Sequence, residues 1–397
     1  MPTNSLDIFD QLTVRWFTKL LGTPTAVQEA AWPAIAAGRH TLVSAPTGTG
    51  KTLSAFLVFI DRLMASAREG VLKQELQLIY VSPLKALAGD IHENLRRPLN
   101  GILEEEYKAD PLSGNTPSDI SVAIRTGDTP QKERRKMIKT PPHILITTPE
   151  SLYLMLTSKS GQSILHTARF IIIDELHALI DTKRGAHLML SLARLDRLCQ
   201  EPLQRIGLSA TIEPLNRAAE YLSPDPVTII APEMHKEVRL EVTSPLSDTK
   251  VKLKESVWQE IAATIYKYCM GAHSVIAFVE GRMYAEKLAY FVNQLGGEGF
   301  ARTHHGSLSK EQRYEVEQSL RSGNLRLLCA TSSMELGIDV GDIDQVFQIG
   351  CPRTISSTMQ RLGRAGHNPD RVSVMYMFPR TAVEGLYMGL TAGVDRR

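Results

Sequence analysis

The chain has 397 residues, which at about 150 residues per domain points to two or three domains. Apolar residues make up 43% and charged residues 22%, ordinary globular values that exclude a disordered or collagen-like chain. Lys and Arg number 45 against 43 Asp and Glu, a formal charge of +2, so any contact with nucleic acid must come from local placement of groups and not from bulk charge. The start, Met1 to Asp7, has neither a basic n-region nor an apolar h-region. Apolar runs such as Ala55 to Ile60 and Phe170 to Ile173 fall far short of a membrane span. A soluble, cytoplasmic protein with no membrane partner is expected. The cysteines Cys199, Cys269, Cys329 and Cys351 lack zinc or redox spacing and read as buried free thiols.

Taken in order, short apolar runs alternate with helix-period segments. Thr41 to Ala45, Leu76 to Ser82, Ile144 to Thr147, Phe170 to Asp174, Gln204 to Ser209 and Val227 to Ile230 read as buried strands. Helices are expected over Lys51 to Ala67, Ala86 to Leu99, Pro130 to Lys139, Leu188 to Cys199 and Pro214 to Tyr221. Unbroken hydrophobicity in such short strands indicates an α/β fold whose mostly parallel sheet is covered on both faces. The polar stretch Ala231 to Lys254 reads in part as a linker, after which the alternation restarts. Strands follow at Ser274 to Val279, Ala301 to His304, Leu325 to Ala330, Gln345 to Ile349 and Val372 to Phe378. Between them, Tyr284 to Leu295, Lys310 to Leu320 and Ser356 to Leu362 read as helices, so the chain is two α/β domains in tandem.

The sharpest motif is Ala45-Pro-Thr-Gly-Thr-Gly-Lys-Thr52, between a strand and a helix. Phosphate charge must be met by donors without steric bulk. Gly48 and Gly50, with Thr47 and Thr49, let backbone N–H groups approach, and the helix N-terminus adds a favourable dipole. Lys51 can reach the β- and γ-phosphates, and Thr52 supplies a hydroxyl ligand for Mg²⁺. Phe170-Ile-Ile-Ile-Asp-Glu-Leu-His177 sets two carboxylates at a strand's C-terminal end, where open α/β sheets bind ligands. There Asp174 would hold Mg²⁺ and Glu175 would orient and deprotonate an attacking water, while His177 could couple the site to a neighbouring element. Upstream, Gln28 has the donors and acceptor needed to read an adenine edge. The basic cluster Lys132, Arg134, Arg135, Lys136 and Lys139 reads as a solvated helix face. His304 and His305 have no partner at metal-ligand spacing.

The motif order resembles superfamily 2 helicases. It runs through Pro24 to Gln28, the phosphate loop, Ser82 to Asp90, Thr147 to Leu152, Asp174 to His177 and Ser209 to Thr211. The second half continues with Thr303 to Ser309, Ala330 to Asp339 and Gln360 to His367. Within that superfamily the chain looks most like the large helicase-related (Lhr) family, on the strength of Ile124 to Pro130, Thr182 to His187, the double histidine and His367.

The resemblance implies two tandem RecA-like (P-loop NTPase) domains, over residues 1–232 and 233–379, with ATP in the cleft between them. Residues 380–397 would be a truncated tail where further family domains begin. Gly337 and Asp339 would face the nucleotide, Arg364 would be the arginine finger, and Arg361 would support it through acids of the first domain. His367 stands where the superfamily has another arginine. Ser209, Thr211 and Gln360 would couple nucleotide state to domain closure. A single strand would cross Pro83, Lys85, Thr126 to Asp128 (Gly127 between them) and Thr148 to Glu150 (Pro149 between them) in the first domain. His305, Gly306 and Thr331 would meet it in the second. The implied activity is ATP-dependent, 3′-to-5′ movement on single-stranded or tailed duplex DNA, with unwinding and a place in DNA repair. A DNA–RNA hybrid substrate and protein partners stay open. The competing reading is an ATP-gated strand-binding clamp without effective unwinding.

Overall fold

Apolar side chains on consecutive residues of a strand must point to opposite faces, so both faces of the sheet need cover. In the computed structural model Ile172 packs into one core while Ile171 and Ile173 pack into another. The same split separates Val43 from Leu42 and Ile146 from Leu145. The structure describes residues 5–46, 48–83, 85–109, 120–210, 212–232, 238–243, 254–334, 343–352, 355–365 and 373–394. The chain divides into two compact units, Met1–Met234 and His235–Arg397.

The first unit carries β1 (His40–Ser44), β2 (Leu78–Val81), β3 (Val122–Arg125), β4 (Ile144–Thr147), β5 (Phe170–Ile173), β6 (Gln204–Ser209) and β7 (Val227–Ile230). They form one sheet in the order β3-β4-β2-β5-β6-β1-β7. Every pairing is parallel, so all the C-terminal ends share one edge. The helices Gln11–Leu21, Ala26–Ala36 and Lys51–Arg68 supply one core, where Trp32 meets Phe9 and Phe17 edge-on at 4.9 and 5.4 Å. On the other face pack Pro149–Leu156, Lys159–Leu165, Lys183–Leu198 and Leu215–Leu222.

The second unit repeats the plan with β8 (Val238–Val242), β9 (Val275–Val279), β10 (Ala301–His304), β11 (Leu327–Ala330), β12 (Gln345–Ile349) and β13 (Ser373–Phe378). Their order is β10-β11-β9-β12-β13-β8, again parallel throughout. Each unit is thus a mostly parallel sheet flanked by helices, the RecA-like arrangement expected from the motifs.

Several expectations are corrected. β8 lies inside the stretch read in part as a linker and pairs with Ser373–Met377 of β13. Its alternation, Val238-Arg-Leu-Glu-Val242, is that of an edge strand with one wet face, unlike the all-apolar central strands. β3, half-buried at the other sheet's edge, is a further strand that the long apolar runs do not mark. The final segment carries the helix Ala382–Val394, in keeping with a helix beginning there, and its Met388 is buried in the second unit's core. Cys199 and Cys351 are half-buried, whereas Cys269 and Cys329 are fully covered. No described helix is long and apolar enough to cross a membrane.

Candidate active site and strand contacts

The phosphate loop leaves β1 and enters the helix Lys51–Arg68 with Gly48 and Gly50 at φ +82° and +80°, values that favour glycine. No side chain caps this helix, so its first N–H groups are left for a ligand. Three bonds hold the loop. Ala45 N–H donates to Ser209 O at 3.2 Å, Thr49 Oγ1 to Pro46 O at 2.9 Å, and Thr25 Oγ1 to Thr49 O at 2.9 Å. Lys51 Nζ donates to the carbonyls of Pro46, at 2.8 Å, and Ala45. Thr52 opens the same helix, and Thr47 lies outside the described residues.

Gln28 is neither solvated nor uncommitted. Buried, it closes a capping box: Thr25 N–H donates to its Oε1 at 2.9 Å, and its own N–H donates to Thr25 Oγ1 at 3.3 Å. Its carboxamide nitrogen lies where a Cβ on Gly50 would be 2.6 Å away. Gln28 therefore braces the phosphate loop. Gly50→Ala meets this contact and an unfavourable φ together. We expect it to weaken ATP-analogue binding by about tenfold or more, measured by fluorescence titration; unchanged affinity would show that the brace gives way.

β6 separates β5 from β1, so the acids and the phosphate loop reach the same edge one strand apart. Asp174 follows β5 and accepts from the Tyr80 hydroxyl on Oδ2 and from Glu175 N–H on Oδ1 at 2.8 Å. Burial and the adjacent Glu175 carboxylate push its carboxyl above the usual range. Glu175 takes a left-handed backbone, φ 50°, which a non-glycine residue adopts at a cost of about 1–3 kcal/mol. His177 Nδ1 accepts from Ala210 N–H at 3.1 Å and lies 3.3 Å from Ser209 Oγ. The ring proton therefore sits on Nε2, which faces Glu175 Oε2 at 3.3 Å. Desolvation and the charge of Lys51 lower the His177 pKa to about 4, so the ring is neutral at physiological pH. Ser44 Oγ also donates to Ala210 O, at 3.3 Å. The ends of β1 and β6 and the acidic turn thus form one bonded chain that includes Ser209, and Thr211 lies outside the described residues.

The strand-contact candidates of this unit gather on the other half of the same edge, after β2, β3 and β4. Thr147 Oγ1 donates to Arg125 O at 2.7 Å and Ser82 N–H to Thr147 O at 3.0 Å, joining three loop starts. Pro83 is buried, Thr148 caps the helix Pro149–Leu156 by accepting from Ser151 N–H, and Pro149 occupies its first position. Glu150 pairs with Arg184 through two bonds. Lys85 starts the helix Lys85–Ala109, and its side chain lies outside the described residues. The turn from Thr126 to Thr129 closes on itself, with Thr126 N–H donating to Thr129 Oγ1 at 2.8 Å. Arg134 departs from the solvated face assigned to its cluster. It donates to Thr129 O at 2.7 Å and Gly127 O at 2.8 Å, propping that turn, while Lys132, Arg135, Lys136 and Lys139 are exposed.

In the second unit a cavity of about 490 Å³ opens where β9, β10 and β11 end, lined by residues including Arg282, His305, Gly306, Ser307, Thr331 and Arg361. His304 and His305 pair through Nε2 with Glu317 and Glu286 at 2.9 and 2.8 Å. Among the described residues no cluster of three or more potential ligands occurs. Arg361, expected to reach acids of the first domain, has its described partners in its own unit. It pairs with Glu280 at 2.8 Å, donates to Gln348 and lies 5.2 Å over the Phe278 ring. Gln360 is half-buried on the same helix, Ile355–Leu362, and Arg364 is buried on the turn after it. Gly337, Asp339 and His367 lie outside the described residues.

Residues 25–218 match the DEAD/DEAH box helicase family and 260–368 the helicase conserved C-terminal domain. A Lhr helicase/probable uracil glycosylase of Mycolicibacterium smegmatis is 44% identical over 96% of this chain and 27% of its own length. An ATP-dependent helicase Lhr-Core of Methanocaldococcus jannaschii is 39% identical over 91% of this chain and 42% of its own length. The solved Mycobacterium smegmatis helicase Lhr bound to ssDNA and AMP-PNP superposes with a TM-score of 0.89. It is 45% identical and covers 99% of this chain and 50% of that one. The chain belongs to the Lhr family of superfamily 2 helicases. It corresponds to the motor core of the family and spans between 27% and 42% of the length of these two Lhr relatives. Tyr80 and Arg282 are not singled out by the sequence, because an aromatic residue in an apolar strand and one arginine among many carry no local signal.

Proposed function

We propose that this Lhr-family core hydrolyses ATP to move along single-stranded DNA and unwind duplexes. The observation that carries the reading is the bonded turn of His177, Ser209 and Ala210, with Glu175 beside it, at the sheet edge that also carries the Lys51 loop, in a chain 45% identical to a helicase solved with ssDNA and AMP-PNP. Gly48, Thr49, Gly50 and the helix N-terminus cradle the phosphates, and Lys51 exchanges its loop carbonyls for phosphate oxygens. Glu175 orients and deprotonates the attacking water. Neutral His177, facing Glu175 through Nε2 and accepting from Ala210, reports the state of the acid to the turn that begins at Ser209. Asp174 and Thr52 fit a divalent cation, because the buried Asp174 carboxylate, adjacent to half-buried Glu175, needs compensating charge. Bound there, Mg²⁺ would supply charge neutralisation at the β- and γ-phosphates. Arg364 acts as the arginine finger, with Gly337 and Asp339 beside the nucleotide.

The strand follows Pro83, Lys85, the Thr126–Gly127 turn, Thr148 and Pro149, then His305, Gly306 and Thr331. Such small, hydroxyl and backbone contacts suit phosphates and carry no sequence preference. Movement is 3′-to-5′, on tailed duplex DNA or a DNA–RNA hybrid, in DNA repair. The four free cysteines suit a reducing cytoplasm. Displacement of a labelled strand from 3′-tailed and 5′-tailed duplexes tests this reading. We expect ATP-dependent release from the 3′-tailed DNA; turnover without release on any duplex would support a strand-binding clamp instead.

A further inference from the structure

Tyr80 is fully buried on β2, in register with Ile172 of β5. Phe would fill the same space without a polar atom, and a buried phenol hydroxyl needs a partner to avoid a desolvation cost. Its partner is Asp174 Oδ2, two residues beyond Ile172 and on the neighbouring strand's exit. Glu175 N–H takes the other oxygen, Oδ1, at 2.8 Å. Two donors from opposite sides therefore fix the plane of the carboxylate. The Tyr80 ring also stacks on Phe56, with centroids 4.9 Å apart and planes 23° apart. Phe56 belongs to the helix that begins with Lys51 and Thr52. Tyr80 is thus a rigid strut from the phosphate-loop helix to the acid after β5, with no contact to solvent.

We propose that Tyr80 is a positioning residue that aims the Asp174 carboxylate at the divalent cation and so sets the metal requirement of ATP turnover. The proposal rests on the assignment of Asp174 as a metal ligand. Tyr80 does not touch the reacting atoms. It holds the carboxylate at one angle and at a fixed distance from the helix that carries Thr52, so that the two ligands meet the ion without rearrangement.

The test uses the full chain with AMP-PNP and titrates Mn²⁺ by electron paramagnetic resonance, alongside the Mg²⁺ dependence of ATP turnover. Tyr80→Phe removes the donor and keeps the ring. We expect its Mn²⁺ dissociation constant and half-saturating Mg²⁺ to rise about ten- to a hundredfold, the size of one hydrogen bond to a charged group that orients a metal ligand. The KM for ATP at saturating metal should stay within about twofold, as should the affinity for single-stranded DNA without nucleotide, because neither depends on the angle of Asp174. Unchanged or tighter metal binding in the folded variant would overturn the proposal. Asp174→Asn in the same titration separates the two layers. If it weakens Mn²⁺ binding and Tyr80→Phe does not, only the role of Tyr80 fails; if it has no effect, the metal assignment fails. Should Tyr80→Phe not fold, Phe56→Leu loosens the stack while keeping the hydroxyl. That variant is expected to weaken Mn²⁺ binding about two- to threefold, and no change there would also overturn the strut.

Discussion

Glu175→Gln is expected to bind ATP with near-normal affinity and to hydrolyse it about 10²–10⁴-fold more slowly, the loss that follows removal of a general base. The amide is isosteric and keeps the left-handed turn, so the loop from Asp174 to His177 should hold its shape. What disappears is the proton acceptor and the negative charge that faces His177 Nε2 at 3.3 Å. Lys51 and the phosphate loop are untouched, which is why binding survives. Rapid-quench turnover with ATP, beside equilibrium binding of a fluorescent analogue, separates the two quantities. Turnover within about threefold of the parent would move the base to another residue.

Arg364→Ala is expected to cost more, about 10³–10⁵ in turnover, because an arginine finger stabilises charge that develops only as the γ-phosphoryl group leaves. Affinity for ATP by the full chain should fall by less than about tenfold, since the interaction belongs to the transition state. Arg361 offers a contrast. Its ion pair with Glu280 and its place over Phe278 make it part of the framework of its own unit, so its loss would act through folding. A pre-steady-state measurement of the hydrolysis step in Arg364→Ala, with thermal melting as a control, reads the difference. A mild effect in a well-folded variant would point to another cation.

The phosphate loop was legible because its chemistry is local: two glycines, a lysine and a threonine in one turn between a strand and a helix. The acidic turn was legible for the same reason, as a pair of carboxylates at the end of an apolar strand. Partners that are distant in sequence were not. Glu280 meets Arg361 because β9 pairs with β12, and nothing in either segment announces that neighbour. Gln28 was read for its functional groups, whereas its position three residues after Thr25 carries the structural information, as a capping box. β8 was hidden by Arg239 and Glu241, which alternate with apolar residues as a one-sided edge strand requires but break the run that marked the central strands. Tyr80 was silent because its polar atom is spent inside the fold.

The central claim is that ATP hydrolysis in this chain is tied to a bound strand. The most direct measurement is steady-state ATP turnover by the full chain, with and without single-stranded DNA, at saturating Mg²⁺. Stimulation of at least about fivefold is expected, the lower end of an ordinary coupling between two sites. Turnover that is fast and indifferent to DNA at every concentration would contradict it.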